Sequence, residues 1–169
     1  PLTETHPAIG LAPRFLSEGQ DSGVQGTRIH GFFQGFFGLT IPEEFGGAGI
    51  DDYRFNAVLA EELSRASAAV ASSFGIHADV VAPYLVQLTT EEQKQRWLPK
   101  FCTGEMLTAI GMTEPSGGSD LASLKTRAET DGDDYVVNGH KIWTTQAHFA
   151  DWMFCLVRTD GSGKPQDGI

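Results

Sequence analysis

The sequence is short of cysteine, of positive charge and of long apolar runs, and each shortage excludes a class of protein. Its 12 basic residues against 22 acidic ones give a formal net charge of −10, so nucleic acid is not an expected partner. No stretch approaches the ~18 uninterrupted apolar residues of a membrane helix, since even residues 66–88 contain Ser72, His77 and Asp79. We therefore expect no membrane span.

Cysteine use and the first residues bear on the compartment. Cys102 and Cys155 lack Cys-x-x-Cys spacing, which favours free thiols in a reducing compartment over a disulfide. No N-terminal stretch combines basic residues with an apolar run, as a targeting segment does. These features favour a bacterial cytoplasm. A processed chain from the mitochondrial matrix would look the same, and Pro1 is compatible with a start that has been cut.

Metal and hydrolase chemistry find no support in the residue spacing. The histidines never stand at metal-ligand spacing from one another or from a cysteine, so no metal site is expected. No Gly-x-Ser-x-Gly or Cys–His pattern indicates a hydrolase.

Helical signals lie in the middle of the chain, between residues 38 and 106. Residues 1–37 show no sustained periodicity and are left unassigned, whereas residues 39–49 predict a loop whose glycines accept positive φ. Asp51 or Asp52 is a candidate cap for an amphipathic helix. The apolar face of this helix repeats at three- and four-residue steps and comprises Phe55, Val58, Leu59, Leu63, Ala66 and Val70.

Two further helices follow. A second apolar stripe runs over residues 76–88. We expect a third helix to begin after Thr89 or Thr90, because Glu92 or Gln93 stands three residues later, as a capping box requires.

Beyond residue 106 the pattern changes to short runs rich in β-branched and aromatic residues, which predict strands. These runs lie at 107–113, 135–137, 141–145 and 152–157. Asn138 and Gly139 stand between two of them and predict a tight hairpin. Helices first and strands second favour an α+β chain with a helical domain over 38–106 and a β domain over 107–169. Residues 160–169 are Gly, Ser, Pro and charged residues and stop as Gly168-Ile169 re-enters apolar sequence, so we expect the β domain to be truncated.

The segment 111–120, GMTEPSGGSD, is the densest group of unusual residues. Its glycines allow close approach of the backbone, and its hydroxyls and amides suit anionic or carbonyl oxygens. It is neither Gly-x-Gly-x-x-Gly nor a P-loop, so a dinucleotide or Walker site is not supported. Taken alone, a surface turn closed by Asp120 is the alternative.

Four segments, in order, resemble the acyl-CoA dehydrogenase family, flavoenzymes that introduce a double bond between the α and β carbons of an acyl thioester. They are 38–47 (GLTIPEEFGG), 91–99 (EEQK and WLP), 112–120 and 138–145 (NGHKIWTT). The resemblance covers the chain from about residue 38 onward. It implies an N-terminal helical domain and an incomplete antiparallel β-barrel domain, with the C-terminal helical domain of the family absent.

The resemblance also implies FAD as the cofactor and assigns residues to its ring. Trp143 would pack beside the flavin, and Thr145 would donate a hydrogen bond near N5, where a donor stabilises developing negative charge. Thr113 and the backbone of Met112 would face the pyrimidine end. Without the resemblance, Trp143 would be read as a half-buried strand aromatic.

Further positions are implied for the phosphates and the substrate. Gly118 and Ser119 would line the flavin phosphates and the acyl-CoA channel, so Ser119 would also touch substrate. The pair Thr126-Arg127 would meet CoA phosphates or form a solvated strand edge. His77 is interpreted as a core histidine, with a part in shaping the acyl pocket as the alternative.

The implied reaction needs a carboxylate that removes the α proton. The family supplies this glutamate from its C-terminal domain, so no catalytic residue is expected in these 169 residues. Glu114 belongs to the 111–120 segment, and Glu61 and Glu62 are read as part of a solvated helix face.

The first hypothesis is therefore an FAD-dependent acyl-CoA dehydrogenase, an oxidoreductase of the fatty-acid β-oxidation type that is active only at full length. The alternatives are a noncatalytic flavin- or acyl-CoA-binding subunit and a flavin oxidase or monooxygenase on the same fold. The implied partners are an acyl-CoA, an electron acceptor like the electron-transfer flavoprotein and, at full length, further copies of the chain.

Overall fold

A computed structural model describes residues 11–13 and 35–169. The helices, which a short strand at Leu11–Pro13 precedes, are α1 (Arg54–Ala66), α2 (Ala68–Gly75), a π-helical segment (Ile76–Val81), α3 (Ala82–Leu88) and α4 (Glu91–Thr103). The strands are β1 (Leu11–Pro13), β2 (Thr108–Gly111), β3 (Arg127–Asp131), β4 (Asp134–Asn138) and β5 (Trp152–Cys155). The predicted order of a helical domain and then a β domain is confirmed. Most of the unassigned segment, residues 1–10 and 14–34, lies outside the described residues.

The helix ends follow local signals closely. Thr90 caps α4 as predicted: Gln93 N–H donates to Thr90 Oγ1 at 3.2 Å, and Thr90 N–H donates to Gln93 Oε1 at 2.9 Å. Gly104, at φ 72°, ends the helix in the left-handed conformation. The predicted cap of α1 at Asp51 or Asp52 is wrong, because Tyr53 is the N-cap residue and its side chain makes no capping hydrogen bond. Asp52 lies one residue earlier and accepts the N–H of Arg54 at 3.0 Å.

The first predicted helix is too long, because α1 stops before the apolar stripe does. Ser67 adopts an extended conformation, φ −165° and ψ 118°, and its hydroxyl caps α2. Of the predicted apolar face, Leu63 is buried, whereas Phe55 and Val58 are 55% and 62% exposed.

The main core lies between the π-helical segment, α3, α4 and β5. Its buried residues are Ile41, Phe45, Val81, Ala82, Leu85, Trp97, Leu98, Phe101, Cys102, Met106 and Phe154. Both Cys102 and Cys155 are free thiols, as expected.

A buried imidazole links the helices to the sheet. His77 Nε2–H donates to the carbonyl of Phe101 at 3.1 Å, so Nδ1 is the acceptor for Thr108 N–H at 3.3 Å and faces the Thr108 hydroxyl at 2.9 Å. The ring also stacks on Phe101 with centroids 3.7 Å apart. Thr108 opens β2, so this ring joins the two domains and is a core histidine.

The strands form an open arrangement in the described part of the chain. β5 lies between β1 and β2, antiparallel to the first and parallel to the second, while β3 and β4 form a separate two-stranded sheet. The parallel β2–β5 pair departs from an antiparallel barrel. It requires a long crossover, and residues 112–151 supply it.

The hairpin predicted at Asn138-Gly139 is wrong. β3 and β4 are joined instead by a two-residue turn at Gly132-Asp133, where Gly132 has φ 64°, and the run 141–145 is not a strand. Gly139 is needed because the backbone of Thr126 lies so close that no side chain fits: a Cβ at Gly139 would lie 2.6 Å from the Cα of Thr126. Glycine at position 139 is therefore explained by close packing against Thr126 and not by a hairpin turn.

Within residues 35–169, one helical run has the length and hydropathy of a membrane helix. It covers Ala68–Leu88, 21 residues. A core helix of a globular domain has the same two properties, and this run contributes the buried His77, Val81 and Leu85 to the interior.

We expect His77 to make the fold less stable as the pH is lowered from 6.5 to about 4. Burial, opposed by the weaker effect of the Phe101 hydrogen bond, lowers the pKa of His77 from 6.5 to about 4. The unfolded chain therefore binds a proton first, and stability present above pH 6.5 is lost as the pH falls to about 4, by about 3 kcal/mol. Urea unfolding at several pH values measures the loss. A His77→Gln variant should be less stable at pH 7 and lack this portion of the pH dependence; an equal slope in both proteins would contradict the assignment.

Candidate functional site

Two segments distant in sequence meet beside the end of β2. Ile142 N–H donates to the carbonyl of Thr113 at 2.9 Å, and Lys141 Nζ donates to the carbonyl of Met112 at 3.1 Å. The chain from Lys141 therefore runs beside Met112 and Thr113, and Trp143 follows directly. The arrangement brings together one half of the 112–120 segment and the Trp143 segment.

Trp143 is held in an unusual conformation at this junction. Its φ is 58°, a left-handed value that bulky side chains rarely adopt, and its side chain is 85% exposed. Gln146, at φ 68°, is the next such residue, and its Nε2 donates to the carbonyl of Ser73 on α2 at 2.9 Å. The indole is thus presented to solvent on a strained backbone rather than packed among side chains, and such strain concentrates at functional sites.

The 114–120 turn closes over Thr113. Glu114 and Gly117 exchange backbone hydrogen bonds of 3.0 and 3.1 Å, which fold Pro115 and Ser116 into a tight turn. A Cβ at Gly118 would lie 3.6 Å from the methyl group of Thr113, so the backbone of Gly118 lies against that side chain. Four of the six predicted site residues therefore belong to one neighbourhood: Met112, Thr113, Gly118 and Trp143.

The other two predicted residues, Ser119 and Thr145, are exposed. The structure describes no contact that joins either of them to the group above. Together with Thr113 they carry hydroxyls that donate to no other described residue, so three donors are free to meet a ligand.

An ion pair under the site was missed by the sequence analysis. Lys141 Nζ lies 2.9 Å from Glu114 Oε1, and the side chains are 8% and 5% exposed. The same carboxylate accepts the backbone N–H of Lys125 at 2.6 Å and of Thr126 at 2.8 Å. Burial alone raises the pKa of Glu114, but the hydrogen bonds from Thr126, Lys141 and Lys125 outweigh it and lower the pKa to about 2.

The two residues of the Thr126-Arg127 pair lie in different environments. Thr126 is buried, whereas Arg127 is exposed on β3. Lys125 and Arg127 form no salt bridge with a described carboxylate, and with Arg158 they line a cavity of about 530 Å³. Arg158 is already occupied, since its guanidinium donates to backbone carbonyls, among them Ala122 at 2.6 Å and Pro165 at 2.9 Å.

The fold and the site define a class: a helical domain docked on an open β domain that presents a strained, exposed indole and free hydroxyls. Two family descriptions match the chain, "Acyl-CoA dehydrogenase, N-terminal domain" over residues 30–105 and "Acyl-CoA dehydrogenase, middle domain" over residues 109–169. The chain belongs to the acyl-CoA dehydrogenase family.

Relatives and solved structures agree with this membership. The chain is 40% identical over 131 residues to the mitochondrial isovaleryl-CoA dehydrogenase of Bos taurus, covering 78% of this chain and 30% of the relative. It is similar to the crystal structure of an acyl-CoA dehydrogenase from Geobacillus kaustophilus, with TM-score 0.75, 41% identity and coverage of 82% and 38%. A glutaryl-CoA dehydrogenase from Mycobacterium smegmatis in complex with FADH2 gives TM-score 0.72 at 29% identity, with coverage of 78% and 34%. The chain thus spans about a third of the length of the proteins it matches.

We expect Trp143→Asn to stabilise the fold by about 1 kcal/mol. Asn tolerates the left-handed conformation that Trp143 occupies, and the exposed indole contributes little burial to lose. Urea unfolding of the ligand-free protein measures the change. Phe149→Asn is the control, since Phe149 is an exposed aromatic six residues further along the chain and has no positive φ. Equal effects of the two substitutions would show that the backbone at Trp143 stores no strain.

Proposed function

We propose that the complete protein containing this chain is an FAD-dependent oxidoreductase that introduces an α,β double bond into an acyl-CoA thioester. The observation that carries the proposal is the exposed indole of Trp143 on a strained backbone, held beside Thr113 in a chain of this family. The relatives named above act on isovaleryl-CoA and glutaryl-CoA, so the substrate proposed is an acyl-CoA in general. Fatty-acid β-oxidation is the more specific form of the proposal.

The residues present fit a flavin. A planar conjugated ring needs an apolar surface to lie against and donors along its edge. The indole of Trp143 is 85% open to such a ring, and the hydroxyls of Thr113, Ser119 and Thr145 have no competing partner among the described residues. When bound, the flavin supplies an acceptor for the hydride that leaves the β carbon of the substrate.

Each site residue has a proposed part in holding that ring and its phosphates. Trp143 covers one face of the ring and excludes water from it. Thr145 donates its hydroxyl near N5, where a donor stabilises developing negative charge. Thr113 and the backbone of Met112 orient the pyrimidine end.

The phosphates and the substrate are assigned to the turn that follows. Gly118 lets the backbone come close to the flavin phosphates, and Ser119 serves both these phosphates and the acyl-CoA channel. The unpaired Lys125 and Arg127 support a further contact with the phosphates of CoA, since both are cations without a described carboxylate partner.

We place the base that removes the α proton outside these 169 residues. Glu114 is ion-paired and its pKa of about 2 makes it a poor proton acceptor. Glu61 and Glu62 pair with Arg65 on the exposed face of α1 at 2.8 and 3.2 Å, far from a dry site. A noncatalytic flavin- or acyl-CoA-binding subunit is the second candidate.

Partners and compartment complete the proposal. We propose an electron acceptor like the electron-transfer flavoprotein, and assembly of the complete protein with further copies of itself. Exposed apolar side chains on α1 and β4 support an assembled form, among them Phe55, Val58 and Val137. A bacterial cytoplasm is the proposed location, with the mitochondrial matrix as the alternative.

Bound flavin should be bleached by substrate. The protein is expressed from its complete reading frame, and its visible spectrum is recorded under anaerobic conditions while an acyl-CoA series is added. Loss of the oxidised flavin absorption with formation of the enoyl-CoA supports the dehydrogenase. Flavin that binds acyl-CoA without bleaching supports the noncatalytic subunit, and a protein without flavin contradicts the proposal.

Two substitutions test the flavin wall separately from catalysis. Trp143→Asn and Thr145→Val should each weaken FAD binding, the first by about tenfold because a stacked aromatic contact is lost. Thr103→Val, an exposed threonine at the end of α4, is the matched control and should leave the affinity unchanged. Titration of the flavin-free protein with FAD measures the dissociation constants; wild-type affinity in both site variants would remove these residues from the site.

A further inference from the structure

Burying the ion pair of Glu114 and Lys141 has a large cost in desolvation free energy. Its charges lie 2.9 Å apart and are almost completely withdrawn from solvent. Withdrawing two charges from water usually costs as much as their attraction returns, so an apolar pair of similar size would serve stability equally well. The pair therefore calls for a role other than stability.

Geometry identifies what the pair connects. Glu114 follows Thr113 directly and binds the backbone of Lys125 and Thr126, so one carboxylate fixes both ends of the 114–126 loop. Lys141 donates to this carboxylate and to the carbonyl of Met112. Every polar contact described for these two side chains joins backbone segments around the site, and none reaches solvent-exposed side chains.

The position of Lys141 explains why this matters for Trp143. The indole follows two residues later on a backbone at φ 58° that relaxes unless its surroundings hold it. Upstream of Trp143, the described ties are the Lys141 ammonium and the Ile142 N–H, both on the 112–114 segment. Downstream, Gln146 is tied to Ser73.

We propose that the Glu114–Lys141 ion pair positions Trp143: it holds the backbone of Trp143 in its left-handed conformation and keeps the indole beside Thr113. The proposal rests on the proposed function for its consequence, that Glu114 and Lys141 govern flavin affinity without touching the flavin. Its geometric part, control of Trp143, stands in the flavin-free protein.

Glu114→Asp is the test, because it keeps the charge and shortens the side chain by one methylene. The flavin-free protein, expressed from its complete reading frame, is compared by the indole N–H resonances of its tryptophans, with Trp143 identified through Trp143→Asn. We expect Glu114→Asp to move the Trp143 resonance and leave those of the core residues Trp97 and Trp152 in place. Glu91→Asp is the matched control, because Glu91 is exposed and pairs with Lys94 at 2.6 Å far from the site, and it should move none.

FAD affinity gives the second readout. Glu114→Asp should weaken FAD binding by about tenfold, equivalent to ~1.4 kcal/mol, and should have no further effect when Trp143 is already Asn. Independent effects in this cycle, an unmoved Trp143 resonance, equal movement of all tryptophan resonances, or failure of Glu114→Asp to fold would each overturn the proposal. A wild-type protein that binds no FAD would refute the proposed function, while the resonances would still decide the positioning.

Discussion

The neutral imidazole of His77 is the contact on which the relation between the two domains depends. It donates to the last turns of α4 through Phe101 and accepts from Thr108, the first residue of β2. β2 leads directly into Met112 and Thr113, so the placement of the candidate site follows from this ring. The ring serves in this way because it is uncharged and fully enclosed, with both nitrogens satisfied.

Signals carried by neighbouring residues predicted structure well. The capping box at Thr90 needed only residues within one helical turn, and the order of helices and strands needed only the change of period. Local signals failed where a distant part of the chain determines the structure. Asn138-Gly139 has the composition of a hairpin turn, yet glycine is needed at 139 because Thr126 packs against it. β3 is rich in charge and has no apolar face, so its sequence shows no strand periodicity.

The candidate site was also predicted only in part. Trp143, Thr113 and Gly118 were predicted through a family resemblance, since their residue types alone fit ordinary strands and turns. The left-handed backbone of Trp143 and the Glu114–Lys141 pair could not be predicted, because both arise only when the crossover brings residues 112–114 beside 141–143. A glutamate and a lysine so far apart in sequence carry no spacing signal that distinguishes them from surface charges.

The strand order β1–β5–β2 has a consequence for biosynthesis. β5 is the central strand of its sheet and the last of these three strands to leave the ribosome, so β1 and β2 keep unpaired backbone groups until β5 emerges. Until then β2 presents an open edge beside a nascent helical domain, and contacts between residues so distant in the chain form slowly. Chaperone binding during synthesis is most useful to this protein in the interval between the emergence of β2 and that of β5.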